Sequence, residues 1–236
     1  MTEERHTVPE AGGSLALVLH LPADRGPAPC VVACHGLLAS KDSDKYLLLG
    51  AEFPRAGLAL ARFDFRGCGE STGVEAETTV GTRVDNARAV LKWLGAHPRL
   101  SGRFGLLGSS LGGFAALHVA AERGDGLPVV TWNAPATFEG MAGPPATTAP
   151  GFGPAFFAEL STGRYAAAPT GVSRHLVIQG EADDVVPVAH GRALHARAAE
   201  PRALVIIPGA DHRLTDMAHR REALARSLEW CLRFLP

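Results

Sequence analysis

The sequence is poor in the patterns that mark metal and redox proteins. It has no CxxC pair and no HExxH, and its 10 histidines are dispersed rather than set at ligand spacing, so neither a metal nor an organic cofactor is expected. The 4 cysteines, Cys30, Cys34, Cys68 and Cys231, read as small buried hydrophobes, with Cys68 standing apart in a glycine-rich turn. Runs of one charge are absent as well. The 23 basic and 24 acidic residues are scattered to a net charge of -1, which leaves no phosphate-tracking stripe and argues against a nucleic-acid partner. No stretch of about 18 apolar residues offers a membrane span, and residues 1–10 lack the basic-then-apolar order of an export signal. The expectation is a cytoplasmic protein with no membrane partner.

What is present is a 236-residue chain, 46% apolar, long enough for one sizeable core, and it is read as a single domain over 1–236. Short β-branched or leucine-rich runs alternate with stretches of helical period, which predicts an α/β class with a mostly parallel central sheet and helices on both faces. Strands are expected at Ser14 to Leu21, Pro29 to Cys34, Ala59 to Phe65, Arg103 to Leu107, Pro128 to Trp132, Ser173 to Ile178 and Ala203 to Ile207. The turn signal Ala11-Gly12-Gly13 joins an earlier strand, Arg5 to Pro9, to the first of these as an antiparallel N-terminal edge. Helices are expected at Asp44 to Arg55, Thr79 to Leu94, Leu111 to Glu122, Val188 to Ala199 and Thr215 to Phe234. In the second, Val80, Val84, Ala87, Val90, Leu91 and Leu94 form one apolar stripe.

Residues 134–170 break the alternation. They are rich in Ala, Pro, Gly and Thr yet carry Phe138, Met141, Phe152, Phe156 and Phe157, and a connection this long is expected to be a small lid whose aromatics meet the substrate. The plainer alternative is a surface excursion whose aromatics plug the adjacent core.

Chemistry is concentrated in Gly108-Ser109-Ser110-Leu111-Gly112-Gly113, a GxSxG between an apolar run and an amphipathic stretch. A serine on such a tight strand-to-helix turn projects its hydroxyl above the sheet edge, and the helix beginning at Leu111 brings N–H groups and a positive dipole end to a developing oxyanion. A serine hydroxyl is a weak nucleophile and needs a base and something to orient it. Asp183 and Asp184 follow one later strand and His212 follows the next, so three loops converge on the carboxyl edge of a parallel sheet, where ligands bind. The chain order of serine, aspartate and histidine differs from the trypsin-like and subtilisin-like orders.

These segments, with His35 to Asp42, Arg62 to Ser71, Gly180 to Pro187 and Gly209 to His212, resemble the α/β-hydrolases, in particular small bacterial esterases and serine-aminopeptidase-like hydrolases related to cinnamoyl and feruloyl esterases. The resemblance implies that the aspartate three residues after Gly180 and before Val186-Pro187, Asp183, is the acid of the triad. It implies, too, that the backbone N–H groups of Leu37 and Leu111 form the oxyanion hole. His35, Asp64 and Arg66 are read as structural. The expected activity is hydrolysis of a small-molecule carboxylic ester through an acyl-serine. Thioesterase and amidase or aminopeptidase activities are the alternatives within the fold, with Glu139, Glu159 and Arg164 as lid charges available to a peptide terminus. A non-catalytic small-ligand sensor is the alternative of another class.

Overall fold

The computed structural model describes residues 2–24, 26–138 and 152–235. Among them, 8 strands form one sheet: β1 (Thr2–Glu10), β2 (Gly13–Leu21), β3 (Ala28–Cys34), β4 (Ala59–Phe63), β5 (Leu100–Ser109), β6 (Val129–Trp132), β7 (His175–Gly180) and β8 (Arg202–Ile207). Their spatial order is β1-β2-β4-β3-β5-β6-β7-β8. The first two strands pair as an antiparallel hairpin, β2 also runs antiparallel to β4, and every later pairing is parallel. This is the expected α/β-hydrolase architecture with its antiparallel N-terminal edge.

Helices cover both faces because the strand side chains alternate between two apolar layers. Cys30, Val32 and Cys34 of β3 point into the layer that holds α2 (Val80–Leu94) and α3 (Leu111–Arg123), whereas Val31 and Ala33 point to the layer of α1 (Asp44–Glu52) and α6 (Met217–Phe234). The α2 stripe is fully used: Val80, Val84, Ala87, Val90 and Leu94 are all buried. Helix α5 (Val188–Arg197) joins the first layer through Leu194. All four cysteines are buried and unpaired, as small hydrophobes would be. Among the described residues no helix is long and apolar enough to cross a membrane.

Several boundaries differ from expectation, β1 spanning Thr2–Glu10 and β5 starting at Leu100 among them. Helix α1 stops at Glu52 rather than Arg55, because Pro54 has no N–H to continue the ladder and opens a separate 3-10 turn, Pro54–Ala56. Strand β4 ends at Phe63 rather than Phe65, where the Phe65 N–H turns to donate to His35 Nε2 at 3.1 Å. A helix not anticipated at all, α4 (Pro154–Ser161), lies within 134–170, started by Pro154 at its first position. The described ends of that segment pair with each other, Phe138 N–H donating to Ala166 O at 2.8 Å and Ala168 N–H to Ala136 O at 2.9 Å.

Two buried histidines tie this core to pH. Burial pushes His35 and His175 down to about 3, helped by Arg83 beside the first and His195 beside the second. Both are neutral in the folded chain while the unfolded chain protonates below its ordinary value of 6.5, so between those limits the unfolded state binds more protons and stability rises with pH. Lowering the pH from about 6 to about 5 is expected to remove up to about 1.4 kcal/mol per histidine. Urea midpoints measured across that interval check this, and a flat profile contradicts it.

Candidate active site

The chain reverses direction across the sheet at β3: β4 lies on one side of it and β5 on the other. The crevice of a doubly wound sheet opens at the carboxyl ends of such a pair, and it is there that the turn after β3 meets the turn after β5. Ser110 occupies the second turn with φ 54 and ψ -128, a left-handed conformation for a residue with a side chain, at a strain of about 1–3 kcal/mol. The turn is held by the Ser110 N–H donating to Trp132 O at 2.9 Å and by the first helical bond from Phe114 N–H to Ser110 O at 3.1 Å. Glycine is required beside it. A Cβ on Gly112 would fall 2.3 Å from the carbonyls of Cys34 and His35, so only glycine lets the helix approach the neighbouring strand this closely.

The Ser110 hydroxyl meets the His212 ring, with Oγ 3.2 Å from Nε2. On the other side of the ring, Nδ1 lies 2.8 Å from Asp183 Oδ2. A carboxylate only accepts, so Nδ1 carries the proton, and Nε2 is left as the acceptor for the serine hydroxyl. Asp183 is buried and surrounded by donors: the Val185 and Val186 N–H groups reach Oδ1 at 3.0 and 2.7 Å, and Gln179 Nε2 reaches Oδ2 at 3.2 Å. Asp184 is exposed and makes none of these contacts. His190, in α5, instead accepts the Ala136 N–H at Nδ1.

Gly36, the residue before Leu37, packs against the serine turn, its missing Cβ direction ending 3.2 Å from Ser110 Cβ. Leu111 is the first residue of α3. Among the described residues neither amide is taken up in a turn or cap hydrogen bond, so both are available as donors. The turn that carries Leu37 is fixed from two directions. Arg83, fully buried in α2, donates to His35 O at 2.9 Å, and the Leu38 N–H donates to Glu75 Oε1 at 3.1 Å while Leu38 takes φ 53. His35 itself links this turn to the end of β4, Nδ1 donating to Gly36 O at 2.7 Å and Nε2 accepting from Phe65. Asp64 and Arg66 hold the adjoining loop: Asp64 accepts the Lys41 and Glu70 N–H groups, and Arg66 binds Glu10 and Gly12 O.

Several supporting residues were not anticipated. Asn133, with φ 52 at the end of β6, donates from Nδ2 to Asp211 O and His212 O at 3.1 and 2.8 Å, and accepts the Gly180 N–H at 2.7 Å. It therefore joins the aspartate-bearing and histidine-bearing loops. Lys45 Nζ donates to Ser109 Oγ at 2.8 Å, directly under the elbow, and burial pushes its ammonium down to about 8, with Arg220 and Arg213 adding to the shift. Arg83 had a visible mark, a lone arginine next to Val84 in the apolar stripe, but Asn133 and Lys45 had none.

The aromatics of segment 134–170 divide. Phe138 and Phe156 are buried, with Phe138 edge-on to Phe114 at 4.7 Å and to Phe156 at 5.4 Å; these two plug the core, correcting the expectation that they meet substrate. Phe152 and Phe157 are half-buried, Phe152 tilted over Phe156 at 4.1 Å and Phe157 edge-on to it at 5.8 Å. Met141 lies outside the described residues. Glu159 is occupied: its carboxylate accepts the Val80 and Gly81 N–H groups at 2.7 and 3.0 Å and so caps α2. Phe156→Ala is expected to destabilise the fold by about 3–5 kcal/mol. A change in thermal unfolding too small for about 1 kcal/mol overturns the core assignment.

Known proteins share this fold. The chain is 29% identical over 191 residues to an uncharacterized protein of Mycobacterium tuberculosis, a match covering 79% of this chain and 64% of that one, so the chain spans less than two thirds of that relative's length. A structure of Est1E from Butyrivibrio proteoclasticus with ferulic acid bound superposes with a TM-score of 0.83 at 18% identity, covering 97% of this chain and 98% of that one. Mouse alpha/beta hydrolase domain-containing protein 10 superposes at 0.81 with 21% identity over 98% and 99% of the two chains. At such identities the likeness establishes the fold alone. The model of the X-Pro dipeptidyl-peptidase (S15) family matches residues 11–139, more than half of the chain. The match takes in the serine turn at Ser110, and with the α/β-hydrolase sheet the chain belongs to the S15 family of α/β-hydrolases.

Proposed function

We propose that the protein is a serine hydrolase that cleaves a carboxylic ester of a small molecule through an acyl-enzyme at Ser110. The observation that carries this reading is the unbroken line from Ser110 Oγ through His212 to Asp183, at 3.2 and 2.8 Å. His212 Nε2 takes the hydroxyl proton as Oγ attacks the carbonyl carbon, and Asp183 stabilises the imidazolium that forms. The Leu37 and Leu111 amides bind the oxyanion, a task that needs donors and no particular side chain. The imidazolium then protonates the departing alkoxide. Water then attacks the acyl carbon as His212 takes one of its protons, and His212 returns that proton to Ser110 Oγ as the carboxylic acid leaves.

Ester is favoured over a peptide with a free terminus because Glu159, the lid carboxylate available for an amine, is engaged at the α2 N-terminus. Glu139 lies outside the described residues. Thioesters share the same route, and a stretch of 99 residues is 32% identical to the mouse mitochondrial palmitoyl-protein thioesterase, covering 42% of this chain. Apolar side chains stand exposed at the rim, Leu38 at 56% beside the Leu37 amide and Val185 at 64% beside Asp183, and they suit an apolar acyl group.

The test is a fluorophosphonate probe on the native protein, with the adduct mapped by peptide mass spectrometry. Modification at Ser110 alone is the expected result; an inert Ser110 in folded protein overturns the hydrolase reading and favours a ligand sensor. For specificity, Phe152→Ala and Phe157→Ala are expected to shift the ratio of kcat/KM between short- and medium-chain p-nitrophenyl esters. An unchanged ratio removes the lid from acyl selection.

A further inference from the structure

A cluster with no part in hydrolysis lies at the edge of the sheet. On β1 the side chains of Glu4 and His6 share one face, since strand residues two apart do. The turn between α2 and β5 brings His97 to the same place. His6 Nε2 and His97 Nε2 each lie 3.1 Å from a single oxygen, Glu4 Oε2, and one donor atom from each of the three residues lies within 4.8 Å of the other two. All three are half-buried, and the His6 ring packs on Trp93 at 4.7 Å, which fixes its direction.

We propose that Glu4, His6 and His97 form a binding site for a divalent cation of the zinc class. Tetrahedral zinc takes nitrogen and oxygen at about 2.0–2.2 Å, so neighbouring donors in its shell stand about 3.3 Å apart. The two 3.1 Å separations are close to that spacing, and the ion enters among the donors with only small side-chain movement. Two neutral imidazoles and one carboxylate are also a donor set that zinc favours in sites with an open position. His97 and Trp93 also line a surface cavity of about 640 Å³ together with Pro9, Lys92 and Pro98.

One bond opposes the ion. The Arg99 N–H donates to His97 Nδ1 at 3.3 Å, which sets the metal-free ring with its proton on Nε2. Coordination through Nε2 moves that proton to Nδ1 and gives up this long, weak contact. In return the metal cross-links the edge strand β1 to the turn after α2. Sequence spacing hid the site because His97 lies 91 residues beyond His6; β1 and that turn meet only in the fold.

The experiment uses the full chain without an affinity tag. Isothermal titration with zinc chloride is expected to give one equivalent bound, with affinity reduced at least tenfold in His6→Ala and in His97→Ala. Cobalt(II), added to the wild-type protein, is expected to give the visible absorption of a four-coordinate site, lost in Glu4→Gln/His97→Ala. Wild-type affinity in both histidine variants overturns the proposal. So does wild-type protein that neither binds zinc nor develops a cobalt band, a result that needs no variant to fold. Ester hydrolysis without added metal is expected to be equal in all of these proteins, so failure here is distinct from failure of the Ser110 assignment.

Discussion

Ser110→Ala is expected to lower turnover of a p-nitrophenyl ester by about 10⁶, equivalent to about 8 kcal/mol of transition-state stabilisation. The variant keeps the Leu37 and Leu111 amides and the His212–Asp183 pair, yet has no oxygen at position 110 to form the proposed acyl-enzyme. Its neighbour cannot take over: Ser109 is buried, and its hydroxyl is held by Lys45 on the far side of the turn. Nor is the loss attributable to unfolding. Alanine at φ 54 carries about the strain that serine does, so the variant should match the wild type in circular dichroism and in its unfolding transition. A folded Ser110→Ala protein retaining more than about a hundredth of the wild-type rate means that another group is the nucleophile.

The residues that share one helix stripe were legible in the sequence, because period 3.6 is a local property. The α2 stripe is an example and appears where expected, whereas β3, an unbroken apolar run, showed its two faces only in the fold. The Ser110 turn was legible for a related reason: GxSxG between strand and helix is a local answer to a local crowding problem. Bringing His212 and Asp183 to it required only that three loops share the carboxyl edge of the sheet. The partners of the supporting shell were not legible, since its members act across long separations, Asn133 and Arg83 on backbone carbonyls and Lys45 on Ser109 Oγ. Asn133 reaches carbonyls 78 and 79 residues away, and Arg83 reaches one 48 residues back; no residue type at the far end records the contact. Segment 134–170 misled for the opposite reason. Its aromatics lie in Ala- and Pro-rich surroundings with no clear period, so composition alone could not tell that Phe138 and Phe156 turn inward while Glu159 caps a helix formed much earlier in the chain.

Asp183→Asn is expected to reduce kcat by about 10⁴ while leaving the fold in place, and the reason lies in who surrounds the carboxylate. Every neighbour is a donor: Val185 N–H and Val186 N–H on Oδ1, Gln179 Nε2 and the His212 ring on Oδ2. An amide offers one oxygen and one NH₂ in the same space. If the oxygen keeps the two backbone bonds, the NH₂ faces His212, which must then present Nδ1 as an acceptor and carry its proton on Nε2. That proton points at Ser110 Oγ, and the ring can no longer remove the hydroxyl hydrogen. If the amide flips, two backbone N–H groups of a buried loop lose their acceptor, and the loop itself is destabilised by about 1–3 kcal/mol for each. The variant therefore loses activity by the wrong tautomer or by a loosened loop, and the two separate experimentally. In the first case the unfolding midpoint stays near that of the wild type and nitrogen-15 spectra of His212 report the Nε2–H tautomer; in the second the midpoint falls. Wild-type turnover in Asp183→Asn, with the tautomer unchanged, shows that the carboxylate does not orient the base, and Asp183 then leaves the triad.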